Sequence, residues 1–111
     1  MPQEKLTATI SISTTTSSWV NVGDYERGGY TTPSALTGTT MTWEVSNDDS
    51  QGTVDPVRNE AGTALGAVTV AVDKVYTIPA EVFSHRFARL KSGSTEVAAR
   101  DIVVFLTGPK Q

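Results

Sequence analysis

Few side chains in this sequence could do chemistry, and the densest group of them lies in residues 85–94, HRFARLKSGS. This stretch holds the one histidine of the chain and three of its nine Lys and Arg side chains. A hydrolase needs a base that is hydrogen-bonded to its nucleophile. His85 follows Ser84, but neighbouring side chains of a strand point to opposite faces, so the two cannot form that bond. We therefore interpret His85 as a partly exposed residue at the start of a strand.

Metal ligands are also scarce. One histidine and no cysteine leave too few soft ligands for zinc. The loop at residues 47–52, NDDSQG, offers the oxygen ligands that calcium prefers, but Arg58 stands where a helix–loop–helix calcium motif needs a bidentate Glu. A calcium loop of another type is an alternative there and at Asp24 and Glu26. The prediction is a polar turn, with no metal and no cofactor bound.

Other catalytic patterns fail as well. Residues 23–29, GDYERGG, contain neither the Gly-Lys-Ser/Thr ending of a phosphate-binding loop nor a helical pattern after it. Paired carboxylates, as in a glycosidase, cannot be placed across a cleft from the sequence alone. We therefore predict that the protein has no catalytic residues and is not an enzyme.

Two aromatic side chains are candidates for contacting a partner. Trp19 and Tyr25 lie beside polar loop residues, where a ring can contact another protein or stack on a sugar. Packing against the end of the fold is the alternative for both. Trp43, in contrast, alternates with polar residues and is predicted to lie in the core.

Length and composition restrict the class of protein. The chain has 111 residues, of which 38% are hydrophobic, and no cysteine, so we expect one domain over residues 1–111 without disulfides. Short extended termini are predicted at about residues 1–5 and 107–111. No apolar run approaches 18 residues, and the N-terminus lacks the pattern of a secretory signal, so we predict no membrane association.

Charge is uneven along the chain. The net charge of −3 argues against nucleic-acid binding. Residues 1–55 carry two basic and seven acidic side chains, whereas residues 56–111 carry seven basic and five acidic ones. Such a split could help neighbouring subunits meet acidic face to basic face, although ordinary solvated surface is the alternative.

Apolar residues recur at every second position in several short segments, which is typical of half-buried strands. Three such faces are predicted to point inward: Leu6, Ala8, Ile10 and Ile12; Met41, Trp43 and Val45; and Val68, Val70 and Val72. Residues 102–106, IVVFL, are apolar throughout, which predicts a central strand covered on both faces.

Turn residues separate these segments. Gly28 and Gly29 are predicted to form a tight turn before Tyr30, Asp55-Pro56 a short edge strand, and residues 79–83 one helical turn. No long window shows helical periodicity. We therefore predict an all-β fold, a single antiparallel β-sandwich or jelly roll of about seven or eight short strands.

The order of several short motifs resembles small virion structural proteins of tailed bacteriophages and prophages. The motifs are residues 28–30 (GGY) before Pro33, Leu36, residues 41–48 (MTWEVSND), 76–83 (YTIPAEVF), 86–94 (RFARLKSGS) and 98–102 (AARDI). The match covers about residues 20–106. The chain departs from the pattern at residues 53–56, TVDP, where Leu-Tyr-Asp often follows the acidic turn. The resemblance implies a β-sandwich, similar to galactose-binding (discoidin-like) domains, carried on the particle.

This resemblance implies a virion location, on particles assembled in the host cytoplasm. The expected function is that of a capsid decoration or cement subunit, present in many copies or as a homo-oligomer, with the major capsid protein or other virion proteins as partners. One alternative is a carbohydrate-binding module on a head or tail fibre that contacts host glycans. Another is a structural subunit of the tail or connector.

Overall fold

The computed structural model describes residues 3–108, which form nine β-strands and one short 3₁₀ helix. In chain order they are β1 (Gln3–Ile10), β2 (Val20–Asn21), β3 (Arg27–Thr31), β4 (Thr40–Ser46), β5 (Asp55–Pro56), β6 (Val68–Thr69), β7 (Val75–Thr77), the 3₁₀ helix (Ala80–Ser84), β8 (Phe87–Ser92) and β9 (Arg100–Thr107). Residues 3–108 contain no helix that is long and apolar enough to cross a membrane.

The strands form two antiparallel sheets. The order in the first sheet is β1–β9–β3–β7, and the order in the second is β2–β8–β4–β5, with β6 beside the start of β4. Successive strands mostly alternate between the two sheets, which is the connectivity of a jelly roll. The predicted all-β sandwich is therefore confirmed.

The core lies between the two sheets and comes from the inward positions of both. Tyr30 of β3 stacks on Tyr76, with 5.6 Å between ring centroids, and meets Trp43 of β4 edge to face at 5.9 Å. Trp43 is buried, as its alternation predicted. Its indole Nε1 is the one buried side-chain nitrogen or oxygen within residues 3–108 that has no hydrogen-bond partner. Burial, with the neighbouring Tyr76, raises the pKa of Tyr30 to about 12.

Two predicted inward faces are shorter than expected. β1 ends at Ile10 because the chain turns: the Thr14 amide donates to the Ser11 carbonyl, and Ser13 has a φ of +67°. Ile12 is therefore 60% exposed rather than inward. Of the predicted face at Val68, Val70 and Val72, Val70 alone is buried: Val68 is exposed within the two-residue strand β6, and Val72 is exposed after that strand has ended.

The glycine pair and the last strand also differ from prediction. Gly28 and Gly29 lie inside β3 rather than in a turn, and a Cβ on Gly28 would collide with the Phe105 carbonyl of β9. β9 is central in its sheet, as predicted, and its inward residues are buried. Its outer residues, Val103 and Phe105, are partly exposed, so the second face is not covered.

The remaining predictions concern short elements and the ends. The Asp55-Pro56 edge strand is confirmed as β5, and the helical turn is confirmed as the 3₁₀ helix. Of the predicted extended termini, residues 3–5 belong to β1 and Thr107 ends β9. Residues 1–2 and 109–111 lie outside the described residues.

Candidate functional site

Glu96 is a fully buried carboxylate that holds one end of the sandwich together. Its Oε1 accepts from the Thr37 amide at 2.8 Å and from Arg100 Nε at 2.9 Å. Its Oε2 accepts from the Gly38 amide at 2.8 Å and from Ser92 Oγ at 2.7 Å. Every oxygen is thus satisfied by a donor from another segment, and an Arg compensates the buried charge.

The same network decides the protonation state of Glu96. Burial alone would raise the pKa, but hydrogen bonds from Thr37, Gly38, Ser92 and Arg100 outweigh it and lower the pKa from 4.5 to about 2. Glu96 is therefore an anion at neutral pH. A buried group with all its oxygens occupied organises structure and is not available as a general base.

The backbone of Glu96 fixes a second loop beside its own. The Ser13 amide donates to the Glu96 carbonyl at 2.8 Å, and the Glu96 amide donates to the Thr14 carbonyl at 2.9 Å. The two neighbouring residues, Ile12 and Val97, are 60% and 70% exposed. We call these two side chains the apolar tip. The apolar tip thus consists of two exposed apolar side chains, each next to a residue held by the backbone hydrogen bonds between the two loops.

A cleft of about 410 Å³ opens on one side of the sandwich, between the edges of β1 and β2. We call it the side cleft, and it is lined by Glu4, Leu6, Thr7, Trp19, Val20, Asn21, Asp24 and Tyr25. The structure thus brings both aromatic candidates to one place. Trp19 is partly exposed there, and the Arg89 guanidinium lies 4.5 Å from its ring centroid.

Tyr25 does not offer a ring for stacking. It is 8% exposed, and its hydroxyl donates to Glu4 Oε2 at 2.7 Å. The expectation of an exposed aromatic is therefore wrong for Tyr25, because its ring belongs to the core. Trp19 remains the candidate for contact with a partner.

The basic side chains of residues 85–94 lie mostly on the outer face of the second sheet. Arg89 donates to Glu44 at 2.8 Å, and Lys91 lies 4.0 Å from the same carboxylate. Arg86 precedes β8, which begins at Phe87. Arg86 is exposed, with its guanidinium 5.3 Å from the Phe87 ring centroid.

The acidic turn satisfies its own backbone. The carboxylate of Asp48 accepts from the Ser50 amide and hydroxyl and from the Gly52 amide, at 3.1–3.3 Å. Hydrogen bonds from Ser50, outweighing some burial, lower the pKa of Asp48. The Asp48 carboxylate is thus engaged by its own turn, and among residues 3–108 no group of three or more His, Cys, Asp or Glu side chains placed to hold a metal ion is found.

His85 lies beside this turn. A cavity of about 600 Å³ there includes His85, Asp48, Asp55 and Arg58 in its lining. The Nδ1 atom of His85 is 3.0 Å from Asn47 Nδ2. Because an amide nitrogen donates, Nδ1 accepts this hydrogen bond, which favours the tautomer with its proton on Nε2. Arg58 is held by Asp55 at 2.8 Å. The histidine thus faces an amide rather than a nucleophile.

The sequence did not reveal the Glu96 network. Its donors at Thr37 and Gly38 are almost sixty residues away along the chain, and TEVAAR matches no motif. Comparison of the chain with protein-family models, with curated proteins and with solved structures finds no match. The candidate site is therefore defined by its geometry: the apolar tip, next to the backbone hydrogen bonds between Ser13, Thr14 and Glu96, with the side cleft as a second surface.

Proposed function

We propose that the protein is a non-enzymatic virion structural protein of a tailed bacteriophage, and that it acts as a capsid decoration or cement subunit. The observation that carries the proposal is the apolar tip, where Ile12 and Val97 are exposed on loops fixed by backbone hydrogen bonds. Exposed apolar groups on a pre-ordered support favour protein–protein contact, because little conformational entropy is lost on binding. The resemblance of the motif order to virion proteins supports the location.

The mechanism follows from many weak contacts. Each copy would bury the apolar tip against the major capsid protein or another virion protein, and would bridge neighbouring capsomers. A tip of two side chains is a small contact, so stabilisation of the particle would come from the number of copies. The buried Glu96 beneath the tip keeps the two loops in one arrangement.

The test is reconstitution on particles that lack the protein. We expect Val97→Asp to reduce binding to purified heads at least tenfold, because it places a charge at the apolar contact. Val75→Asp is the matched control, since Val75 is 72% exposed on β7, away from the tip. Heads that carry the wild-type protein should also resist heat and osmotic shock better than bare heads.

Two results would contradict the proposal. One is the absence of the protein from purified heads, together with unchanged heat resistance of particles that lack it. The other is equal binding by Val97→Asp and the wild type, which would remove the apolar tip as the contact.

The side cleft favours one alternative, a carbohydrate-binding module on a head or tail fibre. Trp19 is partly exposed beside Asn21 and Asp24, and sugars are bound by rings combined with amides and carboxylates. A glycan array with the wild type and Trp19→Ala tests it. Binding that is lost in Trp19→Ala but kept in Val97→Asp would favour the glycan function over the capsid function.

A further inference from the structure

β1 is an edge strand with one side partly unpaired. Its eight residues pair with β9 on one side. On the other side, the Thr9 amide donates to Ser18 Oγ at 3.2 Å, and the Thr9 carbonyl accepts from the Ser18 amide at 3.0 Å. The loop at Ser18 therefore pairs with this edge of β1 at Thr9. The residues of β1 that precede Thr9 extend past that pairing.

Strand geometry identifies the backbone groups that this edge leaves open. The amide and carbonyl of alternate residues point to the same side of a strand. Lys5 and Thr7 therefore direct theirs the same way as Thr9, away from β9. Within residues 3–108, no turn or loop backbone hydrogen bond reaches Lys5 or Thr7 on that side. The open groups adjoin the side cleft, which Glu4 and Leu6 line from β1.

We propose that this edge binds an extended segment of a partner protein as an added antiparallel strand, with an acidic residue opposite Lys5 and a basic residue opposite Glu4. An unpaired row of backbone groups is satisfied best by another strand. Lys5 is exposed on the outer face, whereas Glu4 points towards the side cleft, so adjacent positions of the edge carry opposite charges on opposite faces. The inference is independent of the capsid proposal.

A second copy of this chain fits the edge less well. A two-fold pairing that keeps both cores on the same side places residues of equal parity opposite each other. Centred on Lys5, it sets two ammonium groups against each other, which is destabilising. Centred on Leu6, it pairs Lys5 with Thr7, but its next pair needs the backbone of Thr9, which Ser18 already occupies.

The probe is a synthetic peptide, blocked at both ends, with the core sequence Thr-Val-Glu-Lys-Thr between Gly-Ser flanks. Paired antiparallel, it sets Glu opposite Lys5 and Lys opposite Glu4. With millimolar peptide, NMR-detected exchange of the Lys5 and Thr7 amides in the full chain should slow at least tenfold. Exchange at Thr9 should not change, because its amide is already bonded to Ser18.

Charge reversal on either side tests the specificity. A peptide with Glu and Lys exchanged should bind about tenfold more weakly, since both cross-strand pairs become repulsive. Lys5→Glu should reverse the preference at its own position. Thr7→Pro removes one outward donor and is compatible with an edge position, so it should fold and lose binding.

Three outcomes would overturn the proposal. The first is unchanged amide exchange at millimolar peptide. The second is equal binding of both peptides to the wild type and to Lys5→Glu. The third is protection of Lys5 and Thr7 that rises with protein concentration in the absence of peptide, because it would assign the edge to a second copy.

Discussion

Glu96 and Asp48 both organise a loop by accepting hydrogen bonds from backbone amides, but the donors lie at very different distances along the sequence. Glu96 is fully buried, and its amide donors, Thr37 and Gly38, are almost sixty residues away. Asp48 takes its donors from Ser50 and Gly52, two and four residues later, at the protein surface. The first carboxylate joins separate parts of the fold, whereas the second closes its own turn. The difference predicts unequal costs when either is changed.

The largest effect is expected from Glu96→Ala. It leaves the Gly38 amide and the Ser92 hydroxyl buried, and the Thr37 amide and the Arg100 guanidinium partly buried, without their acceptor. We therefore expect a loss of about 3–5 kcal/mol in the free energy of unfolding. Urea denaturation measures it. Asp48→Ala is the matched control and should lower Tm by a few degrees at most, since water can replace its exposed contacts. Equal losses would remove the distinction between the two loops.

The next largest effect is expected on acidification, through the loss of the stability that the buried Glu96 carboxylate contributes. The pKa of folded Glu96 is about 2, below its ordinary 4.5, so its contribution is complete above pH 4.5 and is lost as pH falls towards 2. At about 1.4 kcal/mol per tenfold difference in affinity for the proton, this amounts to at most about 3 kcal/mol. Urea denaturation between pH 2 and 6 should show this slope in the wild type. A Glu96→Gln variant with the same slope would contradict it.

A smaller effect is expected at Gly38, beneath the same carboxylate. A Cβ there would collide with Ser92 Oγ, one of the Glu96 donors, so Gly38→Ala should cost about 1–3 kcal/mol through overpacking. Gly66→Ala is the control, because no atom lies within 4 Å of its added Cβ. Thermal unfolding of both variants measures the difference. Equal Tm values would mean that the loop at Gly38 yields without disturbing Glu96.

The smallest effect is local. Asp48→Ala should speed amide exchange at Ser50 and Gly52 while leaving exchange at Gly38 unchanged, because the acidic turn is closed by its own residues. NMR-detected hydrogen exchange gives both readings in one experiment. Faster exchange at Gly38 would show that the two loops are coupled.

The alternation of apolar and polar residues predicted the structure correctly where the backbone is a regular strand. The buried face of β4, with Met41, Trp43 and Val45, was predicted correctly because apolar and polar residues alternate along the strand without interruption. Ile12 was predicted wrongly because the turn at Ser13 interrupts a pattern that continues in the sequence. Trp19 was named from its polar surroundings, but the cleft beside it forms only when β1 and β2 come together. The apolar tip depends on two loops that the sequence separates by more than eighty residues.

The pairing of β1 with β9 has a consequence for synthesis. Ala8 lies opposite Ile102, so the strand partners are made about ninety residues apart. On the ribosome, β1 must wait for β9 before the first sheet can close, and closing so long a loop carries an entropic cost. Such non-local topology is typical of domains that fold in milliseconds to seconds. Until then the nascent chain exposes both edges of β1, and their backbone groups are open to pairing with another chain.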